Sequence, residues 1–143
     1  THCISSAASD VYKRQIPGGF LNAKRRFDKK SGEWVEADSS MMACAIRELF
    51  EETKIDLPRA LLEGCIKEEK IFDAVKRSRR GRVITTAQII VLPSDGRGFP
   101  KIKASDDAMD AQWVHISKLR RIHMFEDHMD MIKYGINVLN RCS

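Results

Sequence analysis

The sequence predicts an α/β domain in which a mixed sheet lies between helices. Three observations carry this reading. Residues 41–53 repeat apolar side chains at helical spacing just behind Asp38, Ser39 and Ser40, all of them N-cap types. Residues 82–92, RVITTAQIIVL, are rich in β-branched side chains and read as a strand. Residues 125–140 space Met129, Ile132, Ile136 and Leu139 along one helix face. Elements of this kind bury one face of each helix against a sheet.

Composition narrows the class. The 143 residues suit one domain, and 43% hydrophobic with 31% charged residues suits a soluble globular one. No apolar run approaches the roughly 18–20 residues that cross a bilayer, so no membrane partner is expected. The start, THCISSAASD, lacks the cationic and apolar segments of a secretory signal. Cys3, Cys44, Cys65 and Cys142 show no C-x-x-C spacing, which argues against a structural zinc site. A reduced, cytoplasmic compartment follows. The net charge of +5 fits either a polyanionic partner or a soluble surface.

The elements follow in order. Residues 1–15 show no strand or helix period, and SSAASDVYKRQ resembles a translated sequencing adapter. They are expected to be a non-native or disordered tail, leaving 16–143 as a domain that lacks its first strands; a native flexible tail is the alternative. Pro17-Gly18-Gly19-Phe20 is a turn signal. Residues 22–40 form a polar excursion with a hairpin tip at Ser31-Gly32, between Phe27 and Trp34-Val35. A helix should run from Met41 to Thr53, and Pro58 stops its continuation. Residues 62–72 read as a strand, 73–81 as a loop, 82–92 as the clearest strand, 94–107 as a loop and 111–116 as a short strand. The helix over 125–140 closes the chain.

The first helix carries the chemistry. At 3.6 residues per turn, with Glu48 at zero, Glu51 falls near −60° and Glu52 near +40° around the axis. Three carboxylates thus share one face, opposite Met42, Ala43, Ile46, Leu49, Phe50 and Thr53. Like charges so spaced cost a helix roughly 0.2–0.5 kcal/mol per pair. A hard divalent cation, Mg²⁺ or Mn²⁺, would neutralise them and could hold substrate phosphates. Arg47 could tether one glutamate. From spacing alone, a solvated acidic face accounts for the pattern as well.

Five cations, Lys76, Arg77, Arg79, Arg80 and Arg82, surround Gly81. Beside a carboxylate–metal site they would hold a diphosphate. A solvated loop is the plain alternative. Nucleic acid is the weaker one, because no aromatic residues interleave to stack bases. Acids at Glu126 and Asp127 suit a helix N-terminus for dipole reasons alone. Trp34 and Trp113 could stack on adenine, with core packing favoured for Trp113 because its strand alternates with Val114.

Pro17-Gly18-Gly19-Phe20 followed by Arg47-Glu48-Leu49-Phe50-Glu51-Glu52-Thr53-Lys54-Ile55 resembles the Nudix box, G-x5-E-x7-R-E-U-x-E-E-x-G-U, with U apolar. The R-E-U-x-E-E core matches in full. Lys54 stands where the pattern has Gly, and the spacing from Gly19 to Arg47 is about a dozen residues too long, which marks an insertion within 22–40. The first glutamate of the box falls at Ser39 by strict counting, with Glu36 a candidate replacement. Further motifs follow in order: Ile71-Phe72-Asp73, Arg77-Ser78, Arg80-Gly81-Arg82, Leu92-Pro93, Lys101, Lys103, Asp106-Asp107-Ala108, Trp113-Val114 and Phe125-Glu126-Asp127-His128. They resemble the Nudix domain of bifunctional nicotinamide mononucleotide adenylyltransferase/ADP-ribose pyrophosphatase proteins.

The resemblance implies an α/β/α sandwich that hydrolyses a nucleoside diphosphate linked to another moiety. ADP-ribose, cleaved to AMP and ribose 5-phosphate, is the first expectation; another dinucleotide or a non-catalytic nucleotide-binding role are the alternatives. It implies Mg²⁺ or Mn²⁺ held by Glu48, Glu51 and Glu52 with the Gly19 backbone, and Arg47, Glu48, Glu51 and Glu52 as the catalytic set. Gly18, Arg77, Arg80, Arg82, Asp107 and Glu126 are the expected substrate contacts. An adenylyltransferase domain is expected upstream in the natural protein, and the oligomeric state, homodimer included, is left open.

Overall fold

The computed structural model describes residues 2–7, 14–92, 96, 98–103 and 108–142. The strands are β1 (His2–Ala7), β2 (Arg14–Gln15), β3 (Arg26–Asp28), β4 (Glu33–Val35), β5 (Ile66–Phe72), β6 (Thr85–Ile90) and β7 (Ala108–Val114). The α-helices are α1 (Met41–Thr53), α2 (Arg59–Gly64) and α3 (His128–Cys142), with a 3₁₀ helix at Ile116–Arg121. The ladders run β2-β1-β7, β3-β4 and β5-β6, and all are antiparallel. Among the described residues the parallel element is an isolated bridge between Arg14 and Met124.

Successive strand residues place the two cores on opposite faces. Trp113 packs with Ile46, Ile55 and Leu62, the α1–α2 side, whereas Val114 packs with Leu119, Met124 and Ile132, the α3 side. Ile90 joins the first cluster. Its neighbour Ile89 points the other way, lying 3.5 Å from where a Cβ on Gly135 of α3 would stand. This alternation, with period two, makes the helix–sheet–helix layering. Trp113 is also fixed by a hydrogen bond from its indole N–H to the Pro100 carbonyl at 2.8 Å. The core packing favoured for it therefore holds. Trp34 is exposed on the β3–β4 hairpin, edge-on to Phe27 and under the Arg25 guanidinium.

Several element readings are corrected. Within residues 1–15, whose sequence shows no strand period, His2–Ala7 form a strand whose backbone pairs along β7 from Val114 to Ala108. Cross-strand pairing of this sort leaves little local period to read. Residues 62–64 are the end of α2 rather than the start of a strand: Pro58 is the N-cap, and Leu62 is buried one turn later. The 3₁₀ helix after β7 is an addition, capped by His115, which accepts from Ser117 N–H. The last helix starts three residues later than expected. Phe50 is exposed, not part of the buried stripe, and lies under the Lys54 ammonium. No helix among the described residues is long and apolar enough to cross a membrane.

Candidate active site

Helix α1 begins where the sequence places it. Ser40 is the N-cap, its Oγ accepting from Ala43 N–H at 3.0 Å. It ends at Lys54, which is left-handed with φ 47° and donates its N–H to the Phe50 carbonyl at 2.8 Å. The glycine of the box pattern stands at this C-cap, where only glycine is free of the Cβ penalty. Ala43, Cys44, Ile46 and Thr53 are buried. The opposite face carries Glu48 and Glu51.

Arg47 organises that face. Its Nη1 donates to Glu48 Oε1 at 2.7 Å and to Glu51 Oε2 at 3.0 Å. Its Nε and Nη2 grip Asp38 at 2.9 and 2.8 Å, and Nη2 also reaches the Phe20 carbonyl at 3.1 Å. Arg47 therefore braces two glutamates, where the sequence suggested one. The hydrogen bond to Asp38, with those to the glutamates, holds Arg47 firmly protonated and outweighs burial, which opposes the charge. The Arg47 hydrogen bonds in turn pull the Asp38 carboxyl down to about 2.

Asp38 is a site residue that sequence reasoning missed. Neither Ser39 nor Glu36 takes the place of the first glutamate of the box. Glu36 is exposed and pairs with Arg25 at 2.7 Å. Asp38 occupies the arginine instead, and also accepts from Asn22 N–H at 2.8 Å. The signal was present in its position one residue before the strictly counted one.

Gly19 lies against Glu48. A Cβ on Gly19 would stand 2.3 Å from Glu48 Oε1 and 2.5 Å from Oε2, so no larger residue fits while that carboxylate keeps its place. A Cβ on Gly18 would meet open space. Pro17, Gly18 and Gly19 are thus held at one end by the Arg47–Phe20 contact. At the other end Ile16 N–H donates to His128 Nδ1 at 3.1 Å.

The cationic loop divides into two kinds of arginine. Arg77 is almost fully buried, and its guanidinium is spent on Asp127 (2.7 and 2.8 Å), the Thr85 hydroxyl (2.8 Å) and the Val83 carbonyl. Arg77, expected as a substrate contact, ties the loop to the start of α3. Glu126 is likewise engaged, accepting from Ser78 Oγ at 3.0 Å and Arg79 N–H at 2.9 Å, with its own φ at 43°. Arg80 and Arg82 are exposed, Arg80 over the Phe125 ring. Asp107 lies outside the described residues.

The donor set on α1 suits a hard divalent ion, and two carboxylate oxygens already converge on one positive group, Arg47 Nη1. Among the described residues, however, no three acidic, histidine or cysteine side chains are gathered as a metal-holding group. The match to the ion lies in donor chemistry and in this two-carboxylate convergence.

Comparison with known proteins agrees with this geometry. A family model described as NUDIX domain matches residues 8–134. A bifunctional NMN adenylyltransferase/ADP ribose pyrophosphatase from Francisella tularensis, complexed with AMP and a Mn ion, superposes with a TM-score of 0.75 at 30% identity over 99% of this chain. A second structure of such a protein from that organism gives 0.66 at 32% over 86%. This chain spans 38% and 37% of those two. The NUDIX domain of Shewanella oneidensis NrtR, complexed with ADP ribose, shares the fold with a TM-score of 0.66 at 15% identity, over 96% of this chain and 76% of that one. With the box helix, the glycine against its first glutamate and this match over most of its length, the chain belongs to the Nudix family of hydrolases.

Proposed function

We propose that this domain hydrolyses a nucleoside diphosphate joined to another moiety, with ADP-ribose, cleaved to AMP and ribose 5-phosphate, as the first substrate to test. The observation that carries the reading is the Gly19–Glu48–Arg47 arrangement: a carboxylate pressed between a glycine backbone and a guanidinium that also holds Glu51. Such bracing fixes charge before substrate arrives, which is how positioning and electrostatic preorganisation accelerate phosphoryl chemistry. The 30%-identical neighbour, named as an ADP ribose pyrophosphatase, supports the substrate class.

Glu48, Glu51 and Glu52, with the Gly19 backbone, would hold Mg²⁺ or Mn²⁺. When bound, such an ion supplies charge neutralisation on the diphosphate and its leaving group. Arg47 orients Glu48 and Glu51. Gly18 and Gly19 keep the wall beside Glu48 free of side chains, so the diphosphate can approach. Arg80 and Arg82, exposed on the loop, would steer and hold the phosphates. Asp107 is proposed as a further substrate contact. The free, buried thiols of Cys44 and Cys65 suit a reducing cytoplasm. An adenylyltransferase domain upstream in the natural protein is proposed from the bifunctional neighbour.

The test is phosphate-product release from a panel of nucleoside diphosphate derivatives, with Mg²⁺ and with Mn²⁺. Glu52→Gln should abolish metal-dependent release and leave folding intact; retained turnover in that variant refutes the metal role. One alternative is a domain that binds ADP-ribose and regulates a partner, because the Arg47 guanidinium already engages Glu48 and Glu51. Tight binding without turnover at saturating Mg²⁺ and Mn²⁺ would select it.

A further inference from the structure

The segment that meets Glu48 has few holds. Arg14 is fixed on both sides, its N–H donating to the His123 carbonyl at 3.0 Å and its carbonyl accepting from Phe125 N–H at 2.8 Å. Ile16 packs into the cluster of Val114, Leu119, Met124 and Ile132. Pro17 has no N–H to give. Between Ile16 and the Phe20 carbonyl, which Arg47 holds, the chain reads Pro-Gly-Gly. The Ile16 N–H bond to His128 Nδ1 is thus the front anchor of this span. The clearance is small: Gly19 approaches Glu48 so closely that a single added carbon would overlap the carboxylate.

A backbone N–H can only donate, so Nδ1 of His128 must carry a lone pair and the ring must be the neutral Nε2–H tautomer. Charging the ring would set two N–H groups head to head at 3.1 Å. The ring is wedged edge-on against Phe125, 5.6 Å between centroids. The charged groups facing it are Asp127 and Glu126 from its own segment and Arg77 from the 73–84 loop. The two acids favour the charged ring and Arg77 opposes it. Asp127 is already neutralised by its two bonds to Arg77. Burial outweighs them all and holds the imidazole below the usual histidine range.

We propose that His128 is a positioning residue for the reaction, its neutral Nδ1 seating Ile16 and thereby the Pro17–Gly19 span over Glu48, so that protonation of this one ring unseats the glycine wall of the active site. The inference rests on the reading of that site as hydrolytic, but its geometric half does not need turnover. Asn at 128 carries an oxygen near the place of Nδ1 and does not titrate; Ala carries neither.

Amide exchange and ¹H–¹⁵N spectra of the wild-type chain, His128→Asn and His128→Ala, recorded across pH, decide the geometric half. In the wild type the Ile16 amide should be protected. Its protection and the Gly18 and Gly19 signals should change together with the titration of the His128 ring. In His128→Asn they should be flat with pH, and in His128→Ala the Ile16 protection should fall at least tenfold, as for a lost buried hydrogen bond of about 1.4 kcal/mol. Gly19 signals indifferent to the His128 titration, or equal Ile16 protection in the alanine variant, overturn the proposal. With a nucleoside diphosphate substrate, His128→Ala should lower kcat about tenfold with KM nearly unchanged, and His128→Asn should recover kcat and lose the acid limb of its pH profile. An unaltered kcat in His128→Ala also overturns it. A wild type without turnover whose amides respond as described removes the hydrolase reading and leaves the seating of Gly19 by His128 standing.

Discussion

Asp38 and Arg47 meet at two points, Oδ1 to Nε at 2.9 Å and Oδ2 to Nη2 at 2.8 Å, and this pair joins the end of the 22–40 excursion to the middle of α1. The carboxyl is held down to about 2 from an ordinary 3.8, first by the Arg47 hydrogen bond. A depressed acid stabilises the fold above its unfolded value and loses that contribution as pH falls through its folded one. The benefit should therefore be complete above 3.8 and fade toward 2. Asp38→Asn should cost about 2 kcal/mol in urea unfolding at pH 7. The difference from wild type should shrink steadily below pH 4. A gap that stays constant down to pH 2 would show that the pair is not the source.

Gly19→Ala tests the wall beside Glu48. The new carbon would fall on the carboxylate, which Arg47 keeps from swinging aside. Turnover should drop about a hundredfold while the thermal midpoint falls modestly, since relief needs only the end of the Glu48 side chain to leave Arg47. Gly18→Ala, with nothing near its added carbon, leaves Glu48 in place and should cost far less turnover than Gly19→Ala, acting on KM through the diphosphate approach.

Arg77 and Arg80 lie three residues apart and should behave oppositely. Arg77→Ala leaves Asp127 unpaired beneath the loop and should cost about 3 kcal/mol in chemical denaturation. Arg80→Ala should leave stability unchanged and raise KM for a diphosphate substrate. If Arg80→Ala leaves KM untouched and Arg82→Ala does the same, the loop does not hold phosphate.

Lys54→Gly should stabilise the chain. The left-handed C-cap taxes a lysine by about 1 kcal/mol, and glycine removes that strain while giving up only an exposed contact with the Phe50 ring. A gain of about 0.5–1 kcal/mol is expected by urea titration. Destabilisation would mean that the Lys54–Phe50 contact outweighs the backbone strain.

Local chemistry was legible in the sequence where it acts over a few residues. Helix α1 was read to both its end residues, because Ser40 caps one end and the apolar spacing runs out at the other. The β3–β4 tip was read from Gly32, which takes φ 74° in the turn. What stayed hidden depends on partners far along the chain. Arg77 finds Asp127 fifty residues away, so nothing in a run of five cations marks which one is buried. Asp38 was obscured because counting along a pattern assumes an unbroken register, and the excursion before α1 shifts it by one. Strand β1 is specified by its ladder to β7, more than a hundred residues on, rather than by its own alternation.

Asn22 and Asp38 clasp each other twice, Asp38 N–H to the Asn22 carbonyl at 2.9 Å and Asn22 N–H to Asp38 Oδ2 at 2.8 Å. Everything between them hangs from that buckle. Length added or removed there does not propagate to Gly19 or Arg47, and this is how the interval between the two halves of the box can outgrow its usual span while the carboxylates stay in register. The tip at Ser31-Gly32 is accordingly a port for a label or a grafted peptide that leaves the carboxylate face of α1 undisturbed.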